Sequence, residues 1–175
     1  RRSVEAADAE IDASVEYYRD VMVVLYSEIA KSYVSARTYQ ARLQFANDNV
    51  KNQKETVGIV AARYEAELVS EIDVFQSKQN LAASEAAIPL LNASLDRTIN
   101  RLAVLLGKKP GYLQDKLLQP KAIPQPPQKI TLFLPAEILR QRPDIRQAER
   151  DLAAQTARIG ITVAEMYPRF SLGST

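Results

Sequence analysis

The chain has 175 residues, 46% hydrophobic and 25% charged, with a net charge of +2 and neither cysteine nor histidine. That balance is ordinary for a folded segment and gives no argument for nucleic acid. It excludes disulfides, thiol nucleophiles, the usual zinc sites and imidazole acid–base chemistry. No apolar run approaches the ~20 residues of a membrane-spanning helix, and the chain opens on Arg1-Arg2, so it is read as a fragment of something longer.

Residues 1–106 contain one proline, Pro89, and one glycine, Gly58. So few breakers predict long helices. Stepping alternately by four and three from Ile11, through Val15, Tyr18, Met22, Leu25 and Ile29 to Tyr64, meets sixteen positions, fourteen of them apolar or aromatic. A period of 3.5 residues held this long is a coiled-coil signature, and a bundle-helix face is the plainer alternative.

A second stripe runs Leu81, Ser84, Ile88, Leu91, Leu95, Ile99, Leu102, Leu106, and Gly107 followed by Pro110 marks a helix stop. Pro89 inside this helix is expected to kink or loosen one turn. Alanines 82, 83, 86, 87 and 93 give it a second, small-residue face. That face is either a second packing surface, as in a closed ring of helices, or simple helix propensity.

Residues 108–135 carry six of the nine prolines and read as an extended connection, polyproline-like near Pro124-Gln125-Pro126-Pro127. A third helix is expected from Pro143 to about Tyr167, with Asp144 at the positive end of its dipole. Its stripe is Ile145, Ala148, Leu152, Thr156, Ile159, Val163, Met166, and Pro168 ends it. Phe170 and Leu172 alternate with polar residues like the start of a strand.

Lengths constrain the arrangement. At 1.5 Å per residue, helix one (4–66) is about 95 Å long and helix two (72–106) only about 50 Å. Folding back from residue 69, helix two covers residues 31–66, leaving 4–30 for helix three. The expected fold is all-α: a long antiparallel coiled-coil hairpin with the third helix stacked end to end on its shorter arm. The segments are 1–107 (hairpin, tip near 65–72), 108–134 (connection), 135–168 (third helix region) and 169–175 (strand start).

The C-terminal block combines Leu134-Pro135, Arg142-Pro143-Asp144-Ile145, Ala148-Glu149, Ala157-Arg158-Ile159-Gly160 and Tyr167-Pro168-Arg169-Phe170-Ser171-Leu172. With "NRLAVLLGKKPG" (100–111) and "RYEAELVSEIDVFQSKQNL" (63–81), it resembles the TolC-like outer-membrane efflux proteins, in particular the NodT-type lipoprotein branch. The motif residues carrying the likeness include Arg142, Pro143, Asp144, Ile145, Glu149, Gly160 and Pro168. The resemblance implies the periplasmic helical part of the first of two repeats in a homotrimeric exit duct. It implies a barrel in the Gram-negative outer membrane, outside this chain, a periplasmic adaptor and an inner-membrane pump as partners, and passive export of small molecules. It implies no enzyme activity, cofactor or metal.

In such a protein the turn at 65–72 is the tip that meets the adaptor. The expected contact residues are Glu67, Leu68, Val69, Ser70, Glu71 and Asp73. Leu68 and Val69 are apolar residues at a turn apex, where a partner is needed to cover them. Glu65, Glu67, Glu71 and Asp73 form either an acidic rim or a solvated helix end. The family usually has glycine where Glu67 stands, so Glu67 either keeps a negative φ in a different turn or accepts roughly a kcal/mol of strain. Two other classes fit parts of the pattern. An adaptor hairpin lacks its flanking glycine-rich strand motifs here, and a purely structural coiled coil leaves the Arg-Pro-Asp block unexplained.

Overall fold

The structure, a computed structural model, describes residues 1–117, 119–126 and 135–168. Its regular elements are all helices: α1 (Arg2–Glu65), α2 (Glu71–Leu105), α3 (Gln114–Leu117), α4 (Pro135–Gln141) and α5 (Pro143–Glu165). The strand start expected at Phe170 and Leu172 lies outside the described residues, as does 127–134 of the connection. The chain divides into two compact units, residues 27–126 and residues 1–26 with the C-terminal helices.

In the unit of residues 27–126, α1 and α2 run antiparallel. Glu28 pairs with Arg101 (2.6 Å), Asn49 Nδ2 donates to Ser84 Oγ (3.2 Å), and Lys54 pairs with Glu85 (3.0 Å). Ion pairs this exposed add little energy, but they fix the register. The seam is the heptad stripe. Ile29, Ser32, Ala36, Tyr39, Leu43, Ala46, Val50, Gln53, Val57 and Val60 are all buried or half-buried, as are Leu81, Ser84, Ile88, Leu91, Leu95, Ile99 and Leu102 of α2. Val74 and Ser77 extend the α2 seam toward the turn. α2 is continuous through Pro89.

The core of this unit gathers Ala36, Ile99, Leu102, Ala103, Leu113 and Leu117. The last two belong to the segment expected to be extended. One helical turn, α3, and the four-residue spacing of Leu113 and Leu117 instead roll both leucines onto the hairpin. The chain beyond α3 is pinned by Arg37, which donates to Gln40 Oε1 (2.7 Å) and to the Gln119 carbonyl (2.8 Å). Gln40 in turn donates to the Leu117 carbonyl.

In the other unit α5 runs antiparallel to the start of α1. Arg158 pairs with Glu10, Arg150 with Asp12 (3.8 Å) and Arg146 with Glu16 (4.0 Å). The seam differs from the expected one. Ala6, Ala13, Ala154 and Ala157 are buried and Ala9 and Gly160 half-buried, whereas Ile11, Val15 and Tyr18 of α1 are exposed. On α5 the expected stripe is also outward: Leu152, Thr156, Ile159, Val163 and Met166 are exposed, and only Ile145 is half-buried. The reason is steric. Small side chains let two backbones approach closely, and a lone helix pair can bury only one face of each member. The Ala/Gly faces meet, flanked by arginine–carboxylate pairs, and the bulky faces stay open.

Candidate functional site

The turn between α1 and α2 is built from two capping motifs back to back. α1 ends at Glu65. Glu67 N–H donates to the Tyr64 carbonyl and Leu68 N–H to the Arg63 carbonyl, both at 2.9 Å. These are the bonds of a Schellman C-cap, which needs a left-handed residue at its hinge. That residue is Glu67, with φ of 58°. The chain therefore keeps the tight turn and accepts the strain of a side chain in the left-handed region.

Two residues later Ser70 starts α2. Its Oγ accepts from Asp73 N–H (3.4 Å), its own N–H donates to Asp73 Oδ2 (2.9 Å), and its hydroxyl donates to the same oxygen (2.8 Å). This is a reciprocal capping box with aspartate in the usual glutamate place. The hydrogen bonds from the Ser70 side chain and backbone hold the Asp73 carboxyl below its ordinary 3.8.

The six expected contact residues thus divide. Ser70 and Asp73 are engaged with each other and shape the turn. Val69 is half-covered, while Glu67 and Glu71 are exposed. Leu68 stands 72% exposed at the apex. Two residues that the sequence reading passed over join it: Ile72 is 76% exposed and Phe75 61%. They lie three apart on α2 and share a side of the helix, with the Lys78 ammonium 5.9 Å from the Phe75 ring. Their signal was available. Once Val74 and Ser77 belong to the seam, Ile72 and Phe75 must face elsewhere. The tip therefore exposes three apolar side chains, Leu68, Ile72 and Phe75, with the exposed carboxylates Glu67 and Glu71 close by in sequence. Among the described residues no group of three or more carboxylates is arranged to hold a metal ion.

The Arg-Pro-Asp block has a local structural meaning. Arg142, extended at φ −69° and ψ 127°, is the N-cap of α5, and Pro143 takes the first helical position. Arg142 grips Asp144 with two hydrogen bonds, Nε to Oδ1 (3.0 Å) and Nη2 to Oδ2 (2.6 Å), and Asp144 Oδ1 accepts from Ile145 N–H (2.9 Å). The Arg142 side chain is the first cause of a lowered Asp144 pKa, and Asp144 that of a raised Arg142 pKa. Glu149 is exposed, Gly160 lies against the Arg2 side chain, and Pro168 follows the end of α5. These residues start, pack and stop a helix, and do not converge on a chemical site.

Residues 1–108 match the family described as outer membrane efflux protein. The chain belongs to that family. It is 34% identical over its whole length to nodulation protein T of Rhizobium leguminosarum bv. trifolii, covering 38% of that protein. It is 31% identical over 98% of its length to the toluene efflux pump outer membrane protein TtgF of Pseudomonas putida, covering 35% of it. The outer-membrane channel OprN superposes with a TM-score of 0.90 at 36% identity, over 95% of this chain and 37% of OprN. The chain thus spans a little over a third of these outer membrane efflux proteins. The family is one of export proteins rather than enzymes. No helix among the described residues is long and apolar enough to cross a membrane.

Proposed function

We propose that this chain is the periplasmic helical part of the first repeat of a trimeric outer-membrane exit duct, and that its hairpin tip docks a periplasmic adaptor. In this reading the whole protein passes small molecules outward passively, and an inner-membrane pump supplies the energy. The family supports the export role, and the names of relatives point to several cargoes, toluene among them. The adaptor alternative loses its ground with the family match.

The observation that carries the docking role is the exposure of Leu68, Ile72 and Phe75 around a turn whose Ser70 and Asp73 are engaged in capping. A turn normally presents polar residues to water. Here the backbone is secured by the Schellman and capping-box bonds, so these apolar side chains have no part in holding the turn. An apolar centre with charged groups at its edge is the anatomy of a small protein contact. The carboxylates Glu67 and Glu71 orient the encounter and add little net affinity.

This stretch has no cysteine of its own, so a cysteine introduced here is the one thiol within it, and the parent full-length protein serves as the cross-linking background. In the full-length protein, cysteine at position 68 or 72 should cross-link to the adaptor in cells, and cysteine at exposed Lys51 should not. Equal adaptor cross-linking from 51 and 68, or none from 68, would remove the docking role.

A further inference from the structure

We propose that residues 108–121 form a binding surface for a polyanion, the carboxylate-bearing polymer of the cell wall. This stretch holds four lysines, Lys108, Lys109, Lys116 and Lys121, against one carboxylate, Asp115, in a chain whose net charge is only +2. All four are exposed. Among the described residues nine side-chain ion pairs form, engaging Lys31, Lys54 and seven arginines, and none includes a lysine of this stretch.

Two of the lysines turn instead to the ring of exposed Tyr112. The ammonium of Lys116 lies 4.5 Å from its centroid and that of Lys108 5.7 Å. Lys116 Nζ also donates to the Tyr112 hydroxyl at 3.0 Å. That bond and the Lys116 charge, with a smaller contribution from Lys108, hold the Tyr112 hydroxyl below its ordinary 10.0. The local potential is positive.

A second observation comes from beneath the same segment. Arg37 is only 3% exposed. Its partners are Gln40, the Gln119 carbonyl and the Tyr33 ring 5.1 Å away, with no carboxylate, and its Nε–H is unmatched. A guanidinium without a counter-charge is costly to bury, and its field is screened less than that of a surface lysine. It adds to the positive potential of the connection it anchors.

The composition selects the kind of partner. Protein interfaces are poor in lysine and rich in apolar anchors at their centres. Among the described residues between 108 and 126, Tyr112 and Ile123 are the large apolar side chains that stand exposed. Polybasic segments that bind anionic lipid lie beside a membrane span or on an amphipathic helix, and α3 is one short turn of four residues. Exposed lysines gathered around one aromatic ring suit a polyelectrolyte. For an outer membrane efflux protein the polyanion within reach is the cell wall.

The test is co-sedimentation of the full chain with purified Gram-negative sacculi, alongside phosphatidylcholine vesicles with and without phosphatidylglycerol. The chain should sediment with sacculi at low salt and be released by about 0.5 M salt, where screening is nearly complete. Changing Lys108, Lys109, Lys116 and Lys121 together to Gln should lower binding at least about tenfold, and changing all four to Arg should preserve it. Changing Lys31, Lys51, Lys54 and Lys78 to Gln removes the same charge elsewhere and should leave binding intact. No sedimentation at low salt, equal loss in both Gln variants, or capture by phosphatidylglycerol vesicles alone would overturn the proposal.

Discussion

Glu67 and Gly107 hold the same conformation. Each closes a helix with φ near 60° (58° and 66°), and each donates, with the residue after it, the same pair of hydrogen bonds into the last turn. Glycine adopts this geometry without penalty and glutamate does not. Glu67→Gly should therefore stabilise the chain by roughly 0.5–1 kcal/mol, and Gly107→Ala should cost about 1 kcal/mol. Thermal unfolding of both variants checks the pair of signs. A destabilising Glu67→Gly would mean that the glutamate side chain holds the turn.

The capping box makes the tip sensitive to acid. Asp73 has a folded pKa below its ordinary 3.8, so its contribution is complete above that value and is lost as pH falls through the lowered pKa. Ser70→Ala should cost about 1 kcal/mol at neutral pH. Asp73→Asn should remove part of the acid sensitivity. Amide exchange in the first turn of α2, followed from neutral pH to below 3.8, is the measurement. Protection there that ignores pH in the native chain would contradict the assignment.

Steric surroundings separate two further sites. An added methyl at Gly58 meets nothing within 4 Å, so Gly58→Ala should gain up to about 1 kcal/mol of helix propensity. Ala157 is buried in the small-residue seam, and Ala157→Leu should cost roughly 1–3 kcal/mol by forcing the helices apart. Chemical denaturation of the two variants should move in opposite directions.

The long helices were legible because their signals are local. A single proline and a single glycine in 106 residues, and the Gly107 stop, are properties of the sequence itself. The heptad stripe also located the seam from Ile29 to Val60, where a partner helix uses it. It failed at Ile11, Val15 and Tyr18, and again along α5, because periodicity reveals an apolar face without saying which face a given neighbour takes. Ala6, Ala13, Ala154 and Ala157 look like plain helix formers until a second helix is placed against them. Leu113 and Leu117 were masked by the prolines around them. At the tip, Leu68 was visible as an apolar residue at a turn, but Ile72 and Phe75 emerge only once Val74 is known to face the seam.

Arg37 ties the connection to α1 through two hydrogen bonds and is itself buried. Arg37→Ala leaves the Gln119 carbonyl and Gln40 without their donor and should cost about 2–3 kcal/mol. The loss should be local. Limited proteolysis should cut near exposed Lys121 faster than in the parent chain, while the helicity of α1 and α2 is retained. Unchanged cleavage would show that the leucine contacts alone hold the segment.

The most direct test of docking is export itself. Leu68 lies outside every buried seam, so Leu68→Asp in the full-length protein should leave expression and outer-membrane insertion unchanged. Substrate efflux by cells carrying the complete system, measured together with adaptor cross-linking from position 72, should then fall to the level of cells lacking the duct. Full efflux and undiminished cross-linking by Leu68→Asp at normal expression would show that the tip is only a turn and that the adaptor binds elsewhere.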